Sequence, residues 1–403
     1  MSGYLGVPPG SLVAVDLPPG PAWQDVLVDL WAEQHPIMPL DRRLTTRDRR
    51  RLADLARPAA LIDEHGTTLF ADPARNTTES LALVVTTAGT GGRPKLVELT
   101  RKSVGTAVGL SFAALGPAVG QIALDPSEPW VSCLTPAHVG GLLVLLRGLI
   151  FGSPVTVLER FDVGTLVDLA PPGAHVALVP ALLRRLVASN VDLSRFGLLL
   201  VGGAAVDDEL RIETVARGAR VVTTYGLTET CGGIAYDGRL FDDAQARIAA
   251  DDLGMIELRS PTLMDGYRAD PSATANAFTI DGWLRTGDAG AIDDDGRLTV
   301  HGRTDDAIRT GAETVWPQEV ESVLEDHLKV ADVAVAGKPD PDWGQHVTAF
   351  VVPTDPEDPP TIDELRDYAA ARVARFKAPK ELVLLKELPR TPGGKLRRNA
   401  LQG

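Results

Sequence analysis

Thr87-Ala88-Gly89-Thr90-Gly91-Gly92-Arg93-Pro94-Lys95 follows an apolar run, Leu81-Ala82-Leu83-Val84-Val85, that reads as a buried strand. A strand that empties into small residues and hydroxyls and ends at a lysine is how a backbone wraps a polyphosphate. Few side chains stand in the way, so successive N–H groups can converge on phosphate oxygens. The order is not that of a Walker A loop, because GxxxxGK[ST] is absent and Pro94 precedes the lysine. Taken alone, the stretch also fits a glycine-rich turn.

Outward from it, residues 1 to 303 alternate strand-like and helix-like segments. Strands are expected at 12–15, 37–40, 175–179, 198–201 and 221–224, and helices at 22–33, 181–188 and 207–216. In the first helix Trp23, Val26, Leu27, Leu30 and Trp31 recur at helical spacing. This alternation predicts an α/β fold of mainly parallel sheets, with ligands outside the carboxyl ends of the strands. The phosphate loop, Gly202-Gly203-Ala204-Ala205 and Tyr225-Gly226-Leu227-Thr228-Glu229-Thr230 each follow such a strand, which puts all three on one rim.

Residues 283–302 read as a hairpin turning at Asp293-Asp294-Asp295-Gly296. After Asp305 the texture changes. A helix at 316–328 and strands at 333–335 and 347–352 lead to a Pro/Asp-rich linker at 355–360. Thr361-Ile362-Asp363-Glu364 then opens a helix in capping-box form, before a strand at 382–385 and a polar tail. Residues 304–403 therefore read as a small α+β domain behind a large domain of residues 1–303.

Composition narrows the function. Of 403 residues 44% are hydrophobic and 23% charged, an ordinary globular balance. The net charge of −14 leaves no basic stripe for a nucleic acid, although one pocket can still be locally positive. The first 16 residues lack the basic and apolar regions of a signal peptide, and no integral membrane segment is expected. The longest greasy stretch, 139–151, is interrupted by Arg147. Cys133 and Cys231 offer neither a disulfide framework nor a zinc site and read as reduced thiols of a cytoplasmic protein.

Further motifs now fall in a fixed order: Pro136-Ala137-His138; Gly202 to Ala205; Tyr225 to Thr230; residues 254–267 (GMIELRSPTLMDGY); Gly282-Trp283-Leu284-Arg285-Thr286-Gly287-Asp288; Gly302-Arg303-Thr304-Asp305-Asp306; residues 311–321 (GAETVWPQEVE); and Pro392-Gly393-Gly394-Lys395. With the phosphate loop, this ordered set resembles the adenylate-forming acyl-CoA synthetases and ligases from that loop to the C-terminus. The resemblance implies the fold of that family, with a shortened N-terminus and a mobile C-terminal domain. It also implies ATP, Mg²⁺ and CoA as reactants.

The chemistry explains the residue types. A carboxylate is a poor electrophile, so ATP converts it to an acyl-adenylate; being ionised at neutral pH, it needs no general base. The protein holds anions together and stabilises charge at the α-phosphate. By resemblance, Thr87, Thr90 and Lys95 handle the β- and γ-phosphates, Thr228 touches the α-phosphate and Glu229 binds Mg²⁺. Gly203 and Ala204 line the adenine, Tyr225 stacks on it, and Asp288 takes the ribose hydroxyls with Arg303 nearby. Lys395 places a point charge between carboxylate and α-phosphate. The small domain then swings about Asp305, which removes Lys395 and brings Gly311-Ala312-Glu313 beside the pantetheine tunnel. A homodimer is one assembly open to the chain, whose sequence does not fix the oligomeric state.

Two departures stand out. Ala88 and Gly91 replace hydroxyl residues common in the family, which implies weaker ATP contact, and the segment before the loop is short. Pro136-Ala137-His138-Val139-Gly140-Gly141 with Arg147, and residues 225–238, are similar to the o-succinylbenzoate–CoA ligases of menaquinone biosynthesis. That acid has a second carboxylate, and Arg147 in an apolar stretch suits its anchor because a buried guanidinium needs an anionic partner. The alternatives for Arg147 are a structural acid or snorkelling to solvent. His138 and Gly232 line the acyl pocket by resemblance, while a merely packed His138 is the plainer reading. Another aryl, short-chain or medium-chain acid, a carrier-protein acceptor, and a catalytically weak nucleotide-binding relative stay open.

Overall fold

Residues 81–85 are fully buried, and they form the start of the strand Leu81–Ala88. The structure is a computed structural model and describes residues 6–74, 76, 78, 80–88, 94–118, 124–390 and 396–401. Thr90, Gly91 and Lys395 lie outside the described residues. The chain divides into two compact units: Met1–Ala246 with Leu258–Arg285 and Asp294–Leu298, and Arg247–Glu257 with Thr286–Asp293 and Thr299–Gly403.

The first unit carries two seven-stranded sheets. In one, Val13–Asp16 lies parallel to Ile37–Pro39 and Ala60–Asp63, and Leu81–Ala88 joins beyond Ile37–Pro39. Leu81–Ala88 then pairs antiparallel with Pro94–Thr100, with Thr87 opposite Lys95 and Ala88 opposite Pro94. The phosphate loop is therefore a hairpin connection, and Lys95 stands on the returning strand. The other sheet runs in parallel through Val155–Val157, Trp130–Ser132, His175–Leu178, Leu198–Gly202 and Val221–Leu227. It ends in the antiparallel strands Gly232–Tyr236 and Arg239–Leu240.

This corrects the single rim expected from the sequence. The phosphate loop belongs to the first sheet, whereas Gly203 and Tyr225 belong to the second. Strand–helix alternation does not say which sheet a strand joins.

Helices Arg101–Ala118 and Val139–Phe151 add side chains to a core against each sheet: Val104, Ala107, Leu142 and Leu146 on one side, Phe112, Leu115 and Val144 on the other. A helix packed on both flanks must be apolar all round. That requirement accounts for the unbroken buried run from Gly141 to Arg147. Among the described residues, no helix is long and apolar enough to cross a membrane.

A four-stranded sheet, Gln245–Ile248, Met255–Arg259, Leu284–Ile292 and Leu298–Arg303, gives most of its residues to the second unit. Beyond it, Val330–Asp340 and Gly344–Pro353 form a long antiparallel pair, flanked by Ile308–Thr310 with Glu313–Val315 and by the parallel strand Glu381–Leu384. Helices Pro317–Glu325 and Ile362–Ala370 cover this sheet through Val320, Leu324, Leu365 and Ala369. The capping box is present: the Thr361 and Glu364 side chains each accept from the other residue's backbone N–H.

Candidate active site

Strand Val221–Leu227 ends in a 3-10 turn, Thr228–Thr230, that turns the chain back into Gly232–Tyr236. Thr230 locks this turn. Its buried hydroxyl accepts from Leu227 N at 2.8 Å and donates to Gly232 O at 2.6 Å. A Cβ on Gly226 would sit 1.9 Å from Gly232 O, so only glycine lets the two strands approach this closely. Cys231 follows in the left-handed region at φ 56°, a conformation that costs about 1–3 kcal/mol for a non-glycine residue. Strain concentrated here marks a segment whose geometry is held by its surroundings.

The turn aims Glu229 at the first sheet. Its carbonyl accepts from Met264 N at 2.8 Å, and its Oε1 accepts from the Tyr267 hydroxyl at 2.8 Å. Tyr267 pairs with Val97 at the edge of that sheet, and the Lys95 ammonium lies 4.4 Å from the centre of its ring. Lys95, Tyr267 and Glu229 thus form one cluster linking the phosphate-loop hairpin to the turn. Behind it, Arg268 and Glu98 make a buried ion pair at 2.8 Å, and Arg268 also donates to Ala56 O. Removing either partner would bury an uncompensated charge, at a cost of about 3–5 kcal/mol.

Gly203 (φ 85°) and Ala204 are exposed just beyond the strand Leu198–Gly202, and Tyr225 pairs with Ala235 one strand away. Gly232 is tightly packed, because a Cβ there would meet Leu143 Cδ1 at 2.4 Å. His138 immediately precedes helix Val139–Phe151 and is half-exposed. Its Nε2 lies 2.6 Å from Arg43 Nη2 and 3.3 Å from Asp41 Oδ2, and Arg43 also donates to both Asp41 oxygens. Burial alone would raise the Asp41 carboxyl, yet hydrogen bonds from His138 and Arg43, with the Arg43 charge, hold it well below the usual range.

Arg147 neither meets a structural acid nor reaches solvent. It is 3% exposed, donates to Ser111 Oγ at 2.6 Å and to the Tyr236 hydroxyl at 3.4 Å, and stacks 4.6 Å from the Trp130 ring. No carboxylate pairs with it among the described residues, and its Nε lacks a hydrogen-bond partner. Burial lowers its pKa, partly opposed by Tyr236.

In the second unit Asp288 is buried on strand Leu284–Ile292. Arg303 Nη1 donates to Asp288 Oδ1 at 3.0 Å and to Thr286 O at 2.9 Å, while Thr304 Oγ1 donates to Gly287 O at 3.0 Å. Asp305 is exposed in the 3-10 turn Thr304–Asp306. The flanks of the Lys395 segment are anchored. Arg390 bridges to Leu396 and pairs with both oxygens of Asp332 at 2.9 Å. Beyond them, Arg398 donates to Glu321 and Leu401 is buried.

Sequence reasoning missed Tyr267 as the partner of Glu229, although the motif at 254–267 ends on it. It also missed Asp41 and Arg43 beside His138, since nothing in their spacing signals that contact. No group of three or more His, Cys, Asp or Glu is arranged to hold a metal among the described residues. That fits Mg²⁺, which takes one or two carboxylates together with substrate phosphates rather than an all-protein cage.

The sequence profile of the AMP-binding enzymes matches residues 4–267, and that of the AMP-binding enzyme C-terminal domain matches residues 319–395. A probable 2-succinylbenzoate–CoA ligase of Mycobacterium tuberculosis is 38% identical over 335 residues, covering 80% of this chain and 84% of that protein. An indoleacetate–CoA ligase of Aromatoleum aromaticum is 33% identical over 369 residues, covering 84% and 70%. The o-succinylbenzoate CoA synthetase of Bacillus subtilis, solved with its acyl-adenylate intermediate, superposes with a TM-score of 0.86 at 26% identity, covering 98% of this chain and 89% of that one. The same enzyme, solved with ATP and magnesium ion, gives 0.86 at 25% identity, covering 98% and 90%.

Proposed function

The chain belongs to the AMP-binding enzyme family, and we propose that it joins o-succinylbenzoate to CoA through an acyl-adenylate. It is an acid–thiol ligase that uses ATP with Mg²⁺. The observation that carries the reading is the Lys95–Tyr267–Glu229 cluster, a cation and a carboxylate fixed about one tyrosine where a hairpin loop of small residues returns. The acid follows from the likeness to 2-succinylbenzoate–CoA ligase and from Arg147, a buried cation without a carboxylate.

The ionised carboxylate attacks the α-phosphorus of ATP, forming the acyl–O–P bond and expelling pyrophosphate. Thr87, Thr90 and Lys95 hold the β- and γ-phosphates, and Thr228 donates to the α-phosphate. Glu229 would hold Mg²⁺, whose charge offsets that of the phosphates. Tyr267 fixes the Glu229 carboxylate by its hydrogen bond, so the oxygens need no reorganisation when charge develops. Gly203, Ala204 and Tyr225 take the adenine, and Asp288, steadied by Arg303, takes the ribose hydroxyls. Lys395 bridges carboxylate and α-phosphate. In the second half-reaction the CoA thiolate attacks the acyl carbon and AMP leaves, with residues 304–403 turning about Asp305. His138 and Gly232 border the acyl group, and Arg147 receives the ring carboxylate.

Two free cysteines agree with a cytoplasmic setting. A homodimer is part of the same reading and is checked by sedimentation velocity. The enzymatic test is pyrophosphate exchange with o-succinylbenzoate and a panel of monocarboxylic acids that includes indoleacetate. Exchange with monocarboxylic acids alone moves the acid. No exchange with any acid leaves a nucleotide-binding relative. CoA-thioester detection separates CoA from a carrier protein.

A further inference from the structure

Arg398 opens the 3-10 turn Arg398–Ala400, three residues after Lys395, and its side chain is mostly buried. Its Nη2 donates to Glu321 Oε2, while Glu321 Oε1 accepts from Val335 N at 2.6 Å. Its Nε is buried without a hydrogen-bond partner and lies 3.9 Å from Asp306 Oδ2. Asp306 directly follows Asp305, about which residues 304–403 are proposed to turn. The Arg303 charge also acts on Asp306, and the same arginine donates to Asp288 at 3.0 Å. Acid and base therefore alternate from Asp288 through Arg303, Asp306 and Arg398 to Glu321, all within the second unit.

Arg398 is shared between two carboxyls. Burial pushes both of them up, and the Arg398 charge pulls both down. Two buried acids about one cation do not favour the fold over a well-packed apolar cluster. The unbonded Nε adds a further penalty. Gln318 Oε1 is also buried without a hydrogen bond, and a Cβ on Gly302 would stand 2.6 Å from it. Unsatisfied polar atoms thus flank residues 302–306 on two sides. Such atoms are rare in folded chains and call for a reason other than stability.

We propose that Arg398 is a positioning residue for adenylate formation. It ties the end of the chain beyond Lys395 to the turn beside Asp305 and, through Arg303, to the acceptor of the ribose hydroxyls. The guanidinium fork can address two acids with different nitrogens, which a lysine ammonium at the same place cannot. The inference rests on the acyl-adenylate reading and adds to it a residue that acts through Lys395 rather than on the substrates.

The test uses Arg398→Lys and Asp306→Asn in the full chain, with pyrophosphate exchange measured apart from the turnover of synthetic acyl-adenylate with CoA. Lysine keeps the charge but reaches one acid only, so exchange should fall about tenfold or more, the scale of one charge-assisted hydrogen bond. Turnover of the synthetic adenylate should stay within about twofold, because the lost interaction belongs to the first step alone. Asp306→Asn should cut exchange by about two- to fivefold while the melting temperature holds or rises, since Arg398 keeps Glu321 and one buried charge is gone. A residue that served only the fold would lose stability and both half-reactions together. The two substitutions should not add, and neither should lower exchange further in Lys395→Ala. Equal losses in both half-reactions, additive losses with Lys395→Ala, or unchanged exchange in both variants overturns the proposal. If the unaltered enzyme exchanges no pyrophosphate with any acid, the ligase reading fails instead, and amide hydrogen exchange decides this one. The Ala400 and Leu401 amides, bonded to Arg397 O and Arg398 O, should then exchange faster in Arg398→Lys, and equal protection overturns the proposal.

Discussion

The Tyr267 hydroxyl donates to Glu229 Oε1 at 2.8 Å, joining the last residue of one motif to the carboxylate of another 38 positions away. The bond fixes one carboxylate oxygen, and the proposed role of Glu229 would put Mg²⁺ on the other. Tyr267→Phe should therefore raise the Mg²⁺ concentration needed for half-maximal pyrophosphate exchange by about ten- to a hundredfold, the worth of one hydrogen bond to a charged group. The acid KM should not move. An unchanged Mg²⁺ requirement would show that Glu229 is positioned without the tyrosine.

Arg147→Met tests the anchor for the ring carboxylate. Ser111 Oγ and the Tyr236 hydroxyl lie 2.5 Å apart, so they keep each other as partners when the guanidinium is removed. A buried cation replaced by an apolar side chain of similar length should leave the melting temperature within a few degrees or raise it. KM for o-succinylbenzoate should rise by the equivalent of about 1.5–3 kcal/mol, and KM for ATP should hold. An analogue lacking the ring carboxylate should show no such rise. Equal behaviour of the two acids would remove Arg147 from substrate recognition.

Lys395→Ala tests whether the half-reactions separate. Loss of a point charge at the α-phosphate should cut pyrophosphate exchange by about a hundredfold or more, the scale of one preorganised electrostatic contact. Turnover of synthetic acyl-adenylate with CoA should remain near that of the unaltered enzyme. If both rates fall together, the lysine serves the fold or both steps.

Asp41→Asn probes the group beneath His138. The Asp41 carboxyl is held below its ordinary value of 3.8, so the ionised form is favoured in the folded chain. Its stabilisation is complete above that value and is lost as pH falls through the lower folded value. Asp41→Asn should thus lower stability by about 1–3 kcal/mol at pH 7. The gap should stay constant to pH 5 and close only in stronger acid, as followed by denaturant unfolding across that range. A gap that widens on acidification would reverse the sign.

Most of the secondary structure was legible because burial imposes period. Residues 12–15, 175–179 and 198–201 alternate or run apolar as strands must, and the Thr361 capping box announced its helix. What escaped had weak local signals. Arg101–Ala118 mixes small and polar residues with its apolar ones and so shows no clear helical stripe, and Thr46–Ala56 hides a narrow apolar stripe among arginines. Site motifs could be found one by one, since each needs its own residue types. Their juxtaposition could not, because the Tyr267–Glu229 and Arg43–His138 contacts join segments 38 and 95 residues apart that no local pattern connects.

Arg390 and Leu396 return the chain to the place it left, and Asp332 and Glu321 fasten both sides. Both fastenings meet on one element, since Asp332 lies in Val330–Asp340 and Glu321 also accepts from Val335 N of that strand, so the described end of the chain is moored to the long antiparallel pair.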